Sequence, residues 1–156
     1  MRLFVAIDLP KEVKDSLFSL QNKVKDAKVS WVSKKNLHLT LKFLGDVPED
    51  KLDLIQAALN SIKFDSFNLK LTNLGFFPSK IDPKVLFVGI DPEDIVIQLQ
   101  QKIDGELLSF SSSKQFFEAH ITLGRIKAIR RENFFETVKS INIDNLSFKI
   151  NSFSLF

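Results

Sequence analysis

The 156-residue chain contains no cysteine and no tyrosine, one tryptophan, one methionine and only two histidines. Without cysteine it has no disulfide, no thiol nucleophile and no thiolate metal site. No apolar run approaches the ~18 residues of a membrane helix. The opening Met1-Arg2-Leu3-Phe4-Val5-Ala6-Ile7 is interrupted by Asp8, too early for a secretory signal. A cytoplasmic location without membrane association is therefore expected. Excess charge is also modest: a formal net charge of +3 and a pI near 9.1 suit a phosphate-bearing partner without requiring one. The length fits one domain with a substantial core, a monomer is expected, and the 16 phenylalanines read as mostly core.

The two histidines carry the main signal. They stand in Leu37-His38-Leu39-Thr40-Leu41 and Ala119-His120-Ile121-Thr122-Leu123, each followed at the same offset by one of only four threonines. Chance places both threonines so about once in 1,500 sequences, below the ordinary false-positive rate of short motifs. Residues i and i+2 of a strand share a face about 7 Å apart. His38 and Thr40 thus point one way, and Leu37, Leu39, Leu41 and Phe43 the other. Phe117, Ala119, Ile121 and Leu123 alternate with His120 and Thr122 in the same manner.

Taken in order, residues 2–8 alternate as a strand, and Pro10 opens a helix carrying Val13, Leu17, Leu20 and Val24 to about Lys25 or Asp26. Trp31-Val32 is a short extended piece, Ser33 to Asn36 turn, and the first motif strand runs to Gly45. A helix from Pro48 carries Leu52, Ile55, Leu59 and Ile62, with acidic residues in its first turn. Phe64 to Phe77 and Lys84 to Ile90 read as strands, and Pro92 to Phe110 as a helix. Phe110 to Lys114 reads as a loop, Phe117 to Lys127 as the second motif strand, Arg131 to Ser140 as a helix, and Leu146 to Phe156 as one or two strand pieces. Strand, helix and motif strand thus come twice, separated by about half the chain, which predicts a duplicated unit around a central cleft.

Two imidazoles facing one substrate form an acid–base pair: one neutral and accepting a proton, the other charged and donating it. The threonine hydroxyls can hydrogen-bond non-bridging phosphate oxygens. Lys42 shares parity with His38 and Thr40 and is a candidate source of positive charge. Arg125, five residues after His120, falls on the opposite parity, but Gly124 permits a bulge that would return it to the cleft, where its fork suits phosphate. The plainer alternative for both is a solvated surface cation. Lys42 and Arg125 beside the motifs, where carboxylates would be needed, argue against a metal site.

These residues resemble the 2H phosphoesterases, and within them the RNA 2′,3′-cyclic phosphodiesterases also called 2′-5′ RNA ligases. The resemblance lies in Arg2 to Pro10, Trp31-Val32 with Asn36 to Gly45, and Ala119 to Arg125. It implies an α+β fold of two antiparallel-sheet lobes about a pseudo-twofold, helices outside and a cleft between, with residues 1–156 forming one two-lobed domain. It implies His38 and His120 as catalytic, Thr40, Thr122 and Arg125 as phosphate ligands, and no metal or cofactor. Members usually continue past a segment like Ile150 to Phe156 into a further strand, so either the chain is shortened there or the sheet lacks a strand and exposes an edge. The expected activity is hydrolysis of an RNA 2′,3′-cyclic phosphate end, tRNA fragments included, to a 2′-phosphate, with either histidine as acid. The alternatives are a 2′-5′ ligase, a small cyclic-nucleotide phosphodiesterase, or an RNA-phosphate-binding module without turnover.

Overall fold

The computed structural model describes residues 1–110 and 117–156. In chain order the elements are β1 (Arg2–Asp8), α1 (Lys11–Lys23), β2 (Ala27–Trp31), β3 (His38–Asp46), α2 (Leu52–Asn60) and β4 (Phe67–Phe77), then β5 (Val85–Asp91), α3 (Glu93–Glu106), β6 (His120–Ile129), α4 (Phe134–Lys139), β7 (Ser147–Ile150) and β8 (Ser154–Leu155). Alternation forms the strands: Leu3, Val5 and Ile7 of β1, and Leu86, Val88 and Ile90 of β5, are buried on one face. Helical spacing forms α1, which buries Val13, Leu17 and Leu20, and α3, which buries Val96, Leu99 and Ile103. Each such fully buried aliphatic side chain contributes about 2 kcal/mol of transfer free energy. No helix among the described residues is long and apolar enough to cross a membrane.

The strands form two antiparallel sheets, one in the order β3-β1-β8 and the other β2-β6-β5-β4-β7. The core of each is the same three-strand unit. β3 pairs with β1 as β6 pairs with β5, and the third strand is exchanged: β4, which comes after the first unit, joins β5, while β8, which comes after the second, joins β1. This exchange ties the halves covalently and spatially, as the duplicated α+β architecture requires. The five-stranded sheet adds β2 and β7 at its edges.

Several boundaries differ from the sequence reading. Ala27–Trp31 is a full strand, not a short piece at Trp31-Val32, because it finds a partner in β6. The second helix starts as a 3-10 turn at Glu49–Lys51 and is α-helical only from Leu52. The second motif strand starts at His120, not Phe117, and runs on to Ile129. In the expected loop from Phe110 to Lys114, residues 111–114 lie outside those described. Most described phenylalanines are core, as expected: Phe67, Phe134 and Phe148 are buried and Phe64, Phe76, Phe110, Phe117, Phe135 and Phe153 pack against the core, whereas Phe4, Phe77 and Phe87 stand against the two histidines instead.

Two glycines show how local crowding decides a substitution. A Cβ at Gly124 would lie 2.6 Å from Val29 Cγ1 and 2.9 Å from the Ser30 carbonyl oxygen, so β2 approaches β6 closely only because this position lacks a side chain. A Cβ at Gly105, in the last turn of α3, meets nothing within 4 Å. Gly124→Ala is expected to destabilise the fold by about 2 kcal/mol through overpacking against backbone. Gly105→Ala is expected to stabilise it by roughly 0.5–1 kcal/mol through helix propensity. Urea denaturation of the two variants tests both signs, and a stable Gly124→Ala protein would refute the close-approach account.

Candidate active site

His38 and His120 open β3 and β6, and both line a single cavity of about 140 Å³ together with Thr40 and Thr122. The structure therefore brings the two motifs to one cleft. Each imidazole is fixed in the same way. His38 Nδ1 donates to the Asn36 carbonyl, and His120 Nδ1 donates to the Glu118 carbonyl at 2.6 Å. A carbonyl oxygen can only accept, so Nδ1 carries a hydrogen in both rings and is committed to the backbone. Rings on both sides restrict rotation further. Phe4 stacks on His38 with centroids 4.9 Å apart, and Phe156 stacks on Phe4 at 5.3 Å. Phe77 meets His120 edge to face at 4.8 Å, with Phe87 at 5.4 Å.

Strand parity changes just past each threonine. In the β1–β3 ladder Ala6 faces Thr40 and Val5 faces Lys42, leaving Leu41 as the extra residue of a β-bulge. In the β5–β6 ladder Phe87 faces Thr122 and Leu86 faces Gly124, leaving Leu123 extra. Leu41 and Leu123 are both buried, and so are their C-terminal neighbours, Lys42 and Gly124. A bulge lets two successive side chains share a face, so every later residue changes sides.

Two expectations are corrected by this. Phe43 does not lie with the buried leucines; it is exposed, opposite Phe4 in the ladder. Lys42 does not share the outward face of His38 and Thr40. It lies opposite the buried Val5, with only 2% of its side chain exposed, and its Nζ bonds Asp104 Oδ1 of α3 at 2.5 Å. From that position it still reaches the cavity wall. Arg125, by contrast, is returned to the face of His120 and Thr122: it pairs with Val85, on the same side of β5 as Phe87. The bulged residue is Leu123 rather than Gly124, and Arg125 is exposed outside the cavity lining.

Sequence reasoning misses Phe4, Phe77, Phe87, Asn36, Glu118, Gln100 and Asp104. Phe4 and Phe87 are within its reach, since alternation in β1 and β5 places them opposite the buried aliphatics. The carbonyl contacts of Asn36 and Glu118 are backbone features with no sequence signature. Among the described residues, no three of His, Asp and Glu gather in a way that could hold a metal ion.

Two antiparallel sheets, duplicated about a cleft to which each contributes a histidine and a threonine, form the architecture of the 2H phosphoesterases. The chain belongs to the LigT-like phosphoesterase family, whose model matches residues 7–87. It is 36% identical over 132 residues to the RNA 2′,3′-cyclic phosphodiesterase of Thermotoga maritima, covering 81% of this chain and 71% of that protein. The crystal structure of TT0787 of Thermus thermophilus superposes with a TM-score of 0.83 at 28% identity, covering 99% of this chain and 87% of the other. That of E. coli LigT complexed with 3′-AMP superposes with a TM-score of 0.78 at 28% identity, covering 99% and 86%.

The Lys42–Asp104 pair gives a test independent of activity. Asp104→Ala leaves an ammonium without its partner on a buried face. Partial exposure of Asp104 moderates the cost, so the variant should lose about 2 kcal/mol in urea denaturation. Lys42→Met combined with Asp104→Ala should recover most of that loss. If the double variant is no more stable than Asp104→Ala alone, the pair is not what determines the cost.

Proposed function

We propose that this protein hydrolyses the 2′,3′-cyclic phosphate at an RNA end to a 2′-phosphate, with no metal, by acid–base catalysis between His38 and His120. The observation that carries the reading is the matched tethering of both imidazoles by Nδ1 on the wall of one cavity, which leaves two Nε2 atoms as the proton-transfer groups. One Nε2, unprotonated, takes a proton from water as its oxygen attacks phosphorus. The bond from phosphorus to the 3′-oxygen breaks, and the other Nε2, protonated, donates its hydrogen to that oxygen. The two rings finish with protonation exchanged, ready for a further turnover once protons re-equilibrate with solvent. Thr40 and Thr122 hydroxyls donate to the non-bridging oxygens. Arg125 adds a fork-shaped cation on the His120 side, and Lys42 adds positive potential from behind the cavity wall.

The relatives support this reading. The Thermotoga maritima protein carries the name of this activity, and E. coli LigT has been crystallised with 3′-AMP and with phosphate. The cavity is built from side chains that leave both motifs on one surface, as a displacement at phosphorus needs.

His38→Ala and His120→Ala should each lower kcat on a 2′,3′-cyclic-phosphate oligonucleotide by about 10³-fold or more, and the double variant should be little worse, since the pair acts as a unit. Thermal melts should stay near wild type, because both side chains leave the buried leucine face. Wild-type turnover by either variant would refute the assignment, and activity should survive a chelator. The base must be neutral and the acid charged in the same molecule, so kcat/KM should fall on both sides of a maximum, the limbs belonging to the coupled pair rather than to one residue. A rate rising steadily into alkaline solution would point to hydroxide or metal-bound water and overturn the mechanism.

A further inference from the structure

The bulge at Leu123 sets up a feature that a phosphodiester end alone does not require. Beyond it Arg125 lies on the His120 face of the five-stranded sheet, opposite Ser30 of β2. A second irregularity comes at once: Val29 faces Ile126, Lys28 faces Ala128, and Lys127 is extra. Ile126 is buried, whereas Lys127 and Ala128 are both exposed, so here the bulge holds two successive residues on the outer face. Lys28 shares that face with Ser30 and is exposed as well. His120, Thr122, Arg125 and Lys127 thus succeed one another along one strand, with Lys28 on its neighbour. Successive same-face residues of a strand stand about 7 Å apart, and neighbouring strands about 5 Å.

Two of the acidic groups beside the strands that carry this track are already paired. Asp82 pairs with Lys84 and Asp26 with Arg131, each at 3.2 Å. Among the described residues neither Lys28 nor Lys127 has an ion-pair partner. The other half of the duplication has no such track. At the offset that relates the two histidines, Arg125 corresponds to Phe43 and Lys127 to Gly45. A scaffold requirement would act on both halves; the cations occur on one.

We infer that Lys127 and Lys28 form a rail for the sugar–phosphate backbone of single-stranded RNA, holding phosphates upstream of the cyclic end as the strand leaves the cleft over the His120 lobe. The inference rests on the function proposed above and deepens it by naming the residues that hold the RNA upstream of its cyclic end. A positive face continuous with the site tracks a backbone without reading sequence, and its affinity depends on salt. A cyclic mononucleotide has no upstream phosphate and cannot use the rail.

The test compares wild type with Lys28→Ala/Lys127→Ala on two substrates: a five-nucleotide RNA ending in a 2′,3′-cyclic phosphate and a 2′,3′-cyclic mononucleotide. Both side chains are exposed, so the variant should fold. Its kcat/KM for the oligonucleotide should drop about tenfold, through KM, with mononucleotide turnover unchanged. Fluorescence anisotropy with a 2′-phosphorylated five-nucleotide RNA gives a readout that needs no turnover. Its salt slope should fall by about 1.4, at roughly 0.7 per single-strand phosphate contact for two contacts. Unchanged anisotropy, or equal loss on both substrates, overturns the rail. Absence of wild-type turnover on both substrates overturns the activity itself, while anisotropy still decides the rail.

Discussion

The arrangement of the cleft depends on a constraint of extended chains: side chains alternate, so a strand that presents His and Thr outward must send the residue after next outward as well. The structure escapes this at the same place in both halves. One extra residue, Leu41 in β3 and Leu123 in β6, is tucked into the core immediately after the threonine. The imidazole and hydroxyl stay on the regular part of the ladder, where the neighbouring strand holds them firmly. Residues beyond the leucine take the opposite parity. A bulge of this kind costs ladder hydrogen bonds, and burial of a leucine side chain at each offsets that cost.

The two halves use the bulge differently. In the first, the next residue is Lys42, driven to the inner side, where Asp104 of α3 meets it. In the second, the corresponding residue is Gly124, and the space is taken by β2, with Trp31 Cε3 at 3.0 Å from where a Cβ would stand. The α1 residue that meets this region is the buried Gln21, whose Nε2 donates to the Leu123 carbonyl at 3.0 Å and to the Val32 carbonyl at 2.9 Å. One bulge is therefore held from behind by an ion pair and the other by an amide that adds a second hydrogen bond to the Leu123 carbonyl, which also accepts from the Val32 N–H at 2.9 Å. An amide and an ion pair both meet the rule that buried polar groups need partners, but only the ion pair brings a cation to the cavity wall.

Much of this is legible in the sequence because it is a matter of periodicity. The paired motifs, the alternation of β1, β3, β5 and β6, the helical faces of α1 and α3, and the duplicated order all appear as repeating apolar positions. Lys42 and Phe43 are misplaced by the sequence for one reason: parity carries straight through Leu41, and nothing in Leu-Lys-Phe-Leu distinguishes a bulge from a regular strand. Arg125 is reached only because a glycine precedes it, although the extra residue is the leucine before that glycine. The aromatic walls are missed because phenylalanine counts as core until topology shows which face of a sheet closes the cleft. The carbonyls of Asn36 and Glu118 have no signal at all, since any residue can supply a backbone oxygen.

Those carbonyls bear on how a hydrophobic cleft would serve the proposed proton-transfer pair. Imidazole has two rotatable bonds and two nitrogens, so an untethered ring presents several orientations and either tautomer. Here a backbone acceptor two residues upstream selects Nδ1–H, and stacked or edge-on phenyl rings hold the plane. Charged or polar neighbours could hold a ring as well, but they would compete for the nitrogen that must stay available. Phenyl rings occupy space without offering a competing donor or acceptor to Nε2. The aromatic lining and the carbonyl tether are thus two parts of one device, which commits one nitrogen of each ring to structure and leaves the other for the proposed proton transfer.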